Sequence, residues 1–501
     1  MSVEPLTLPP SPLPTLTETG NPTMTFDDAY WAKQRSRLDV SGGVRHVYFA
    51  RFVADQCGDR LRYVENVGWF RWGGTVWEAT GDNGAALQAL TDAAQVLGKR
   101  VADNGADAQW ASAAMFKMLS GRERGYMLRE MAALREFRSH VDEFDAARHL
   151  LTFKNGTVDL RTGELREHSP ADRLTQCARV AYRPDAEAPR WLRFVAEVFP
   201  DDVDLQRYYQ TFLGYCITGE VREHALGVWY GAHGRNGKGA TIRTMQSVFG
   251  SQVIREVDYQ LFVKGYQPHT EQVAGLRGAR MVVAQEGEAG QAMNTARLKN
   301  FSGGDRIEAR HLQDKTFSYD PTFTIVLATN HLPEFASGGA ALWARTKAIL
   351  FGESFADRVD RDLEPTIQGP EAEGVAGWIV RGAVRYYAEG LRDPLSVLNA
   401  TEFHKDSVDP LKELVGEVFD YAEGARVKRS LFNGELKEWR ETNGDKSGKF
   451  SPSSVKRHLV NSGNVEEKKL ADGWYFVGIR LMSDLTPAGG PGIFNTAADA
   501  H

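Results

Sequence analysis

The chain has 501 residues, 42% of them hydrophobic and 25% charged, with a formal net charge of −6. That length supports two or three cored domains, and the acidic balance excludes a general nucleic-acid-coating protein, so contact with a polyanion must rest on a local basic channel. Cys57, Cys177 and Cys216 are widely spaced, with no CxxC pair and no neighbouring His, which excludes a disulfide framework and a zinc knuckle; no apolar run approaches the ~20 residues of a membrane span.

The first segment, 1–24, is Pro-rich, lacks the layout of a signal peptide and is expected to be a disordered leader. From 25 to 150 the text is mostly helical. Asp27-Asp28 suits a helix N-cap, and the stretch around Gly73-Gly74 alternates as a β-hairpin does. Trp69, Trp72 and Trp77 on that hairpin suit either a base-stacking platform or, more simply, a face packed on helices. Residues 151–222 read as a separate module of hairpin and helices that leads into the next segment. A second hairpin turns at Asn155-Gly156 and Thr162-Gly163, one helix opens at Pro189, and another follows over DLQRYYQTFLGYCITG.

Between 223 and 400 apolar strands at 225–230, 280–284 and 322–328 alternate with helical stretches, the pattern of a parallel sheet flanked by helices. Between the first strand and the helix 241–248 lies YGAHGRNGKG. Glycines let successive backbone N–H groups curl around a phosphate, a lysine reaches the β- and γ-phosphates, and a helix N-terminus adds its positive end. Gly231, Gly234, Arg235, Asn236, Gly237, Lys238, Gly239 and Ala240 are therefore the candidate nucleotide-binding residues. Two departures from GxxxxGK[ST] stand out. The first glycine, Gly231, sits one residue early, and Gly239 occupies the place of the metal-ligating hydroxyl. Thr241 would point away from a metal on a regular helix.

The strand at 280–284 leads to Gln285-Glu286. A carboxylate there suits water-mediated Mg²⁺ binding and polarisation of an attacking water, with Glu288 the rival. The basic stretch 297–315 with its SGGD turn suits a loop or hairpin that holds phosphates. The next strand ends in Asn330, placed beside the Glu286 strand to orient a water. Arg345 falls on a helix-like stretch, ALWARTK, from which a guanidinium can act in a neighbouring subunit's site. From 401 to 482 the text reads helix, helix and a two-stranded wing, a winged-helix plan, and 483–501 reads as a disordered tail.

Taken together, YGAHGRNGKG, LRGARMVVAQEGE, LKNFSGGDRIEAR, TIVLATNHLPEF and ALWARTKAILF stand in compact order, and over 44–481 the chain resembles the phage and plasmid primase–helicase family. These are superfamily 3 helicases related to poxvirus and satellite-phage replication proteins. The resemblance implies an α/β chain with a P-loop, AAA+-like core, a helical N-terminal region with a hairpin, and a C-terminal winged helix. It implies an ATP-dependent DNA helicase acting with Mg²⁺ as a homo-hexamer, translocating 3′ to 5′ on single-stranded or forked DNA. Lys238, Glu286, Asn330 and Arg345 would be catalytic, as phosphate binder, acidic and metal-binding residue, sensor and finger. Lys299, Arg310 and Lys315 would contact DNA. Other phage or plasmid replication proteins would be partners, in the cytoplasm of a bacterial host. No primase domain is evident, which leaves two alternatives: a primase–helicase with cryptic priming activity, and a nucleotide-gated initiator or loader that does not unwind.

Overall fold

The computed structural model describes residues 27–103, 108–287, 291–309, 317–335, 339–445 and 449–484. The leader and tail expected at the two ends fall outside them, apart from the last residues before 485. The described chain forms two compact units. One is built from residues before 72 and from 79–139, and the other from 72–78 and everything after 139.

In the first unit Asp27 caps the opening helix Asp28–Leu38, its carboxylate accepting from the Tyr30 amide at 2.7 Å, as the sequence predicts. Helices His46–Cys57, Gly84–Asp103, Ala108–Leu119 and Gly121–Ala133 enclose a core of Phe49, Phe52, Leu90, Leu97 and Met127. Strand Leu61–Val64 pairs antiparallel with Gly68–Trp72 and parallel with Arg138–Ser139. Trp69 is buried there, edge-on to Phe137. In the other unit Trp77 is equally buried and donates its indole N–H to the Pro170 carbonyl at 2.9 Å. Of the two readings of these tryptophans, the packed face is therefore the one observed for Trp69 and Trp77.

The second unit is organised by a five-stranded sheet in which every neighbouring pair is parallel. In chain order its strands are Leu226–Tyr230, Ile254–Asp258, Met281–Gln285, Thr324–Thr329 and Thr346–Leu350, and across the sheet they run fifth, first, fourth, third, second. The three central strands are buried almost throughout, which explains their unbroken apolar text. Val283 and Val326 face one core, and Val282, Ile325 and Leu327 face the other. The two outer strands went unread in the sequence. IREVD alternates buried and polar residues, and TKAIL follows directly on the short helix Gly339–Trp343. Arg345 therefore lies on the turn between that helix and the edge strand, a correction to the helix-like placement.

Residues of the 151–222 module share the first of these cores. Leu151, Phe153, Trp191, Phe194, Tyr209 and Phe212 are packed with Trp229 and Ile349. Helix Val203–Thr218 crosses helix Ala372–Glu389 at a point with no room for side chains. A Cβ on Gly214 would meet the Ala383 amide nitrogen, and one on Gly382 would meet the Gln210 carbonyl. Buried Arg280, just before the third strand, donates to the carbonyls of Leu150 (2.6 Å) and Ile217 (2.8 Å), tying the early hairpin to the sheet.

The final module has its own core of Phe419, Phe432, Leu436, Leu459 and Phe476. It contains helices Arg429–Thr442 and Pro452–Asn461, the second capped by Ser451, whose hydroxyl accepts from the Ser454 amide. Strands Glu466–Leu470 and Gly473–Leu481 pair antiparallel as the two-stranded element the sequence predicts. A third strand, Phe419–Lys428, was not legible. It flanks Gly473–Leu481 on the other side, with a register shift between Tyr421 and Arg426.

Candidate nucleotide site

Two strands of the sheet end level and a third ends one residue short of them. Tyr230 is in register with Thr329, and Ala328 with Gln285. Gly231, Asn330 and Glu286 are the next residues on each, so they emerge at one carboxyl edge, the crevice where open α/β sheets receive ligands. Glu286 is exposed and donates its amide N–H to the Ala328 carbonyl at 3.2 Å. Its backbone is left-handed, φ 65°, as is that of Arg235 in the loop, φ 57°. Non-glycine residues in that region are uncommon and cluster at functional sites.

Ala232 to Arg235 form the exposed crown of the loop, while Gly231, Asn236 and Lys238 are buried beneath it. Asn236 donates to the His233 carbonyl at 2.7 Å, closing the crown. The loop is also fastened to the chain leaving the neighbouring edge strand. The Phe351 amide donates to the Tyr230 carbonyl at 2.7 Å and the Phe355 amide to the Arg235 carbonyl at 2.9 Å. A Cβ on Gly231 would collide with the Phe351 carbonyl oxygen, whereas Gly234 has open space around it. The early glycine is thus fixed by the neighbouring edge strand.

Helix Lys238–Phe249 begins at the loop, preceded by Gly237 in a left-handed conformation and with no side-chain cap. Its first amides have no intrahelical acceptor and point into the crevice with the positive end of the helix dipole, the usual setting for an anion. The Lys238 ammonium donates to the Asn330 side-chain oxygen at 3.1 Å and to the Gly231 carbonyl at 3.4 Å. Burial without a carboxylate partner pushes its pKa down to about 8. Thr241 is turned inward, donating to the Gly237 carbonyl at 3.1 Å and accepting from the Tyr209 hydroxyl at 2.9 Å. Its hydroxyl is committed to the core, as its position on the helix predicts.

Beside the helix N-terminus opens a cavity of about 550 Å³. Gly237, Gly239 and Ala240 form its floor, with Phe194, Phe355 and Leu363 as apolar walls and Arg190, Arg193 and Arg358 at the rim. Arg190 is anchored to Asp360 (2.9 Å) and Glu197 (3.1 Å) and Arg243 to Glu364 (2.5 Å), and the Arg358 guanidinium lies 4.9 Å from the Phe355 ring centre. Sequence reasoning missed these residues. Nothing in the spacing of the chain connects Phe194 with Phe355; only the closure of the loop onto Phe355 does.

The structure gathers Lys238, Asn330, Gly231 and the loop into one site. It places Arg345 elsewhere, with its guanidinium donating to the Lys299 carbonyl (2.7 Å) and the Ser302 hydroxyl (3.3 Å) of the same chain. Lys299 sits in helix Thr295–Gly303, which replaces the first part of the expected loop. The expected hairpin follows as strands Ile307–Ala309 and Phe317–Tyr319. Arg310, Lys315 and Glu288 lie outside the described residues. Among the described residues, no cluster of three or more His, Cys, Asp or Glu side chains could hold a metal by itself. No helix of the described residues is long and apolar enough to cross a membrane.

Comparison with known proteins gives a consistent set of matches. A family model described as "D5 N terminal like" matches residues 50–200. "Putative helicase L207/L206" of Acanthamoeba polyphaga mimivirus is 23% identical over 343 residues, 63% of this chain and 35% of that protein. "Putative helicase 184R" of Invertebrate iridescent virus 6 is 27% identical over 237 residues, 44% of this chain and 24% of its own length. "Putative primase C962R" of African swine fever virus is 24% identical over 41% of this chain. The chain is thus similar to viral proteins named as putative helicases and primases. The chain spans about a third or less of the length of these relatives. Among solved structures, the C-terminal region of NrS-1 aligns over 60% of this chain and 77% of that one, at 11% identity and a TM-score of 0.36.

Proposed function

We propose that this chain is an ATP-dependent DNA helicase of superfamily 3 type, working in viral or plasmid-like replication as a ring of identical subunits. The observation that carries the reading is the Lys238–Asn330 contact at the mouth of a fifth-first-fourth-third-second parallel sheet, with the glycine loop above it. That arrangement suits a nucleoside triphosphate. Loop amides and Lys238 hold the β- and γ-phosphates, and the cavity walled by Phe194 and Phe355 takes the base. Asn330 and Glu286, at adjacent strand ends, orient and polarise the attacking water.

Mg²⁺ would supply charge neutralisation between the phosphates. Glu286 would be the carboxylate that holds it, with water in place of the hydroxyl that Gly239 lacks. Arg345 is the proposed finger. To serve a neighbour it exchanges the Lys299 carbonyl for a phosphate oxygen. Lys299, Arg310 and Lys315 are the proposed DNA contacts, and the final module is a winged helix that engages DNA near the fork. The relatives' names, helicase and primase, support a replication role.

Steady-state ATPase with and without single-stranded DNA, alongside Lys238→Ala, tests the reading. Stimulation by DNA that the variant loses supports a motor. ATP-dependent DNA binding without turnover points instead to a nucleotide-gated initiator, a reading favoured by one observation, the missing hydroxyl at Gly239.

A further inference from the structure

Large aromatic side chains in this protein are mostly buried, but Trp474 is 41% exposed although it stands on the middle strand of the three-stranded sheet of the final module. Its cross-strand partner is exposed Lys469, and the Arg429 guanidinium, at the start of helix Arg429–Thr442, lies 5.8 Å from its ring centre. The opposite face of the same ribbon repeats the pattern one residue on, where Tyr475 pairs with exposed Lys468 on one side and with Lys428 on the other. The tip between the strands is braced rather than loose. Asp472 accepts from the Tyr475 hydroxyl at 2.7 Å and pairs with Lys428 at 3.2 Å.

Each face of this two-stranded finger thus presents an aromatic ring beside a lysine. Of the three carboxylates in 466–476, Glu466 is exposed on the Tyr475 face of the ribbon, and the other two are engaged. Glu467 is held by Arg429 (2.9 Å) and Lys456 (2.7 Å), and Asp472 as described, so Lys468 and Lys469 are left facing solvent. A protein partner would require an apolar patch around Trp474, but its neighbours on the ribbon are cations. A ring flanked by cations on a stiff ribbon fits a polyanion that carries flat, unpaired rings, with the base stacked on the indole and phosphates on the lysines.

We propose that the finger 466–476 is a single-strand nucleic-acid contact in which Trp474 stacks an unpaired base, Lys469 and Arg429 hold the phosphates on that face, and Lys468 holds the strand where it passes over the ribbon's edge to the opposite face. This rests on the DNA-binding reading above and names the part of the winged module that sees unpaired DNA.

The experiment is fluorescence-anisotropy binding of the full chain, without nucleotide, to labelled oligo-dT, a forked duplex and a blunt duplex of equal length. Trp474→Ala is expected to weaken oligo-dT and fork binding about tenfold, within the range for loss of one stacked base. Trp474→Phe should retain most of the affinity, and blunt-duplex binding should change little. Lys468→Ala with Lys469→Ala should lower the salt slope by about one to two. ATP turnover without DNA should be unchanged in all of them. Wild-type affinity in Trp474→Ala, or an equal loss on all three DNAs, overturns the assignment. Should Trp474→Ala fail to fold, Lys469→Glu decides by the same comparison. A wild-type chain that binds none of the three DNAs removes the broader DNA reading instead.

Discussion

The Lys238 ammonium and the Asn330 amide oxygen meet at 3.1 Å, joining the phosphate loop to the end of the strand beside it. Lys238 has no anionic partner there, and burial holds its pKa near 8. A bound phosphate would raise that pKa, so nucleotide binding takes up a proton once the free lysine begins to lose its own. Affinity should therefore be flat below about pH 8 and fall above it, approaching tenfold per pH unit. Calorimetry in buffers of different ionisation enthalpy should show proton uptake near pH 8.5. A pH-independent affinity that Lys238→Ala shares would remove Lys238 from phosphate binding.

The loop glycines should separate sharply. Gly231→Ala drives a methyl group into the Phe351 carbonyl and should cost several degrees in melting temperature together with nucleotide binding. Gly234→Ala, in open space, should resemble the parent in both. Equal behaviour of the two in a thermal-shift titration with ATP would contradict the packing described.

At Gly239 an added Cβ meets only the tip of the Arg243 guanidinium, at 2.9 Å, which can swing aside. Gly239→Ser should fold normally and restore a hydroxyl where such loops usually have one. We expect the Mg²⁺ concentration for half-maximal ATPase to drop. An unchanged Mg²⁺ requirement would mean that the cation does not approach this position.

Glu286→Gln should bind ATP normally and hydrolyse it at least ~100-fold more slowly, the usual loss for a general base. Arg345→Ala should be inactive alone, and mixed with Lys238→Ala it should recover part of the activity if sites are shared between subunits. No recovery in a mixture shown to co-assemble would confine Arg345 to its contact with Lys299.

His404 is fully buried between Phe335 and Trp343, with Nε2 bonded to the Pro333 carbonyl at 2.8 Å, and burial pushes its pKa down to about 4. It stays neutral in the fold while an unfolded chain protonates it below about pH 6.5. The stabilisation is complete above that value and is lost as pH falls toward 4, about 2 kcal/mol of it between pH 7 and pH 5. Chemical denaturation at both pH values should show a smaller difference for His404→Gln than for the parent; equal differences would place the acid sensitivity elsewhere.

The parts of the site that the sequence made legible are those written in consecutive residues. Glycines, lysine and helix start form one run, and Glu286 and Asn330 each close an apolar strand. Parallel pairing then brings them together without further information. The unread parts depend on distant pairs. Ile254–Asp258 is amphipathic because it lies on a sheet edge, so its text resembles a loop. Arg345 is fixed by a backbone carbonyl 46 residues away, a partner that has no side-chain signature. Phe355 belongs to the cavity only because its amide holds Arg235.

The glycine crossing of Gly214 and Gly382 has a practical meaning for anyone dividing this protein. The helix before the phosphate loop and the helix after the sheet touch backbone to backbone, and Tyr209 on the first of them holds Thr241 in place. A shortened chain starting at 223 would keep the glycine loop, Glu286 and Asn330 but would lose Phe194 from the cavity wall and expose Trp229, Ile349 and the seat of the Ala372–Glu389 helix. The smallest piece expected to keep this packing is thus larger than the stretch that carries the candidate site, and its natural edge lies before the hairpin at Leu150.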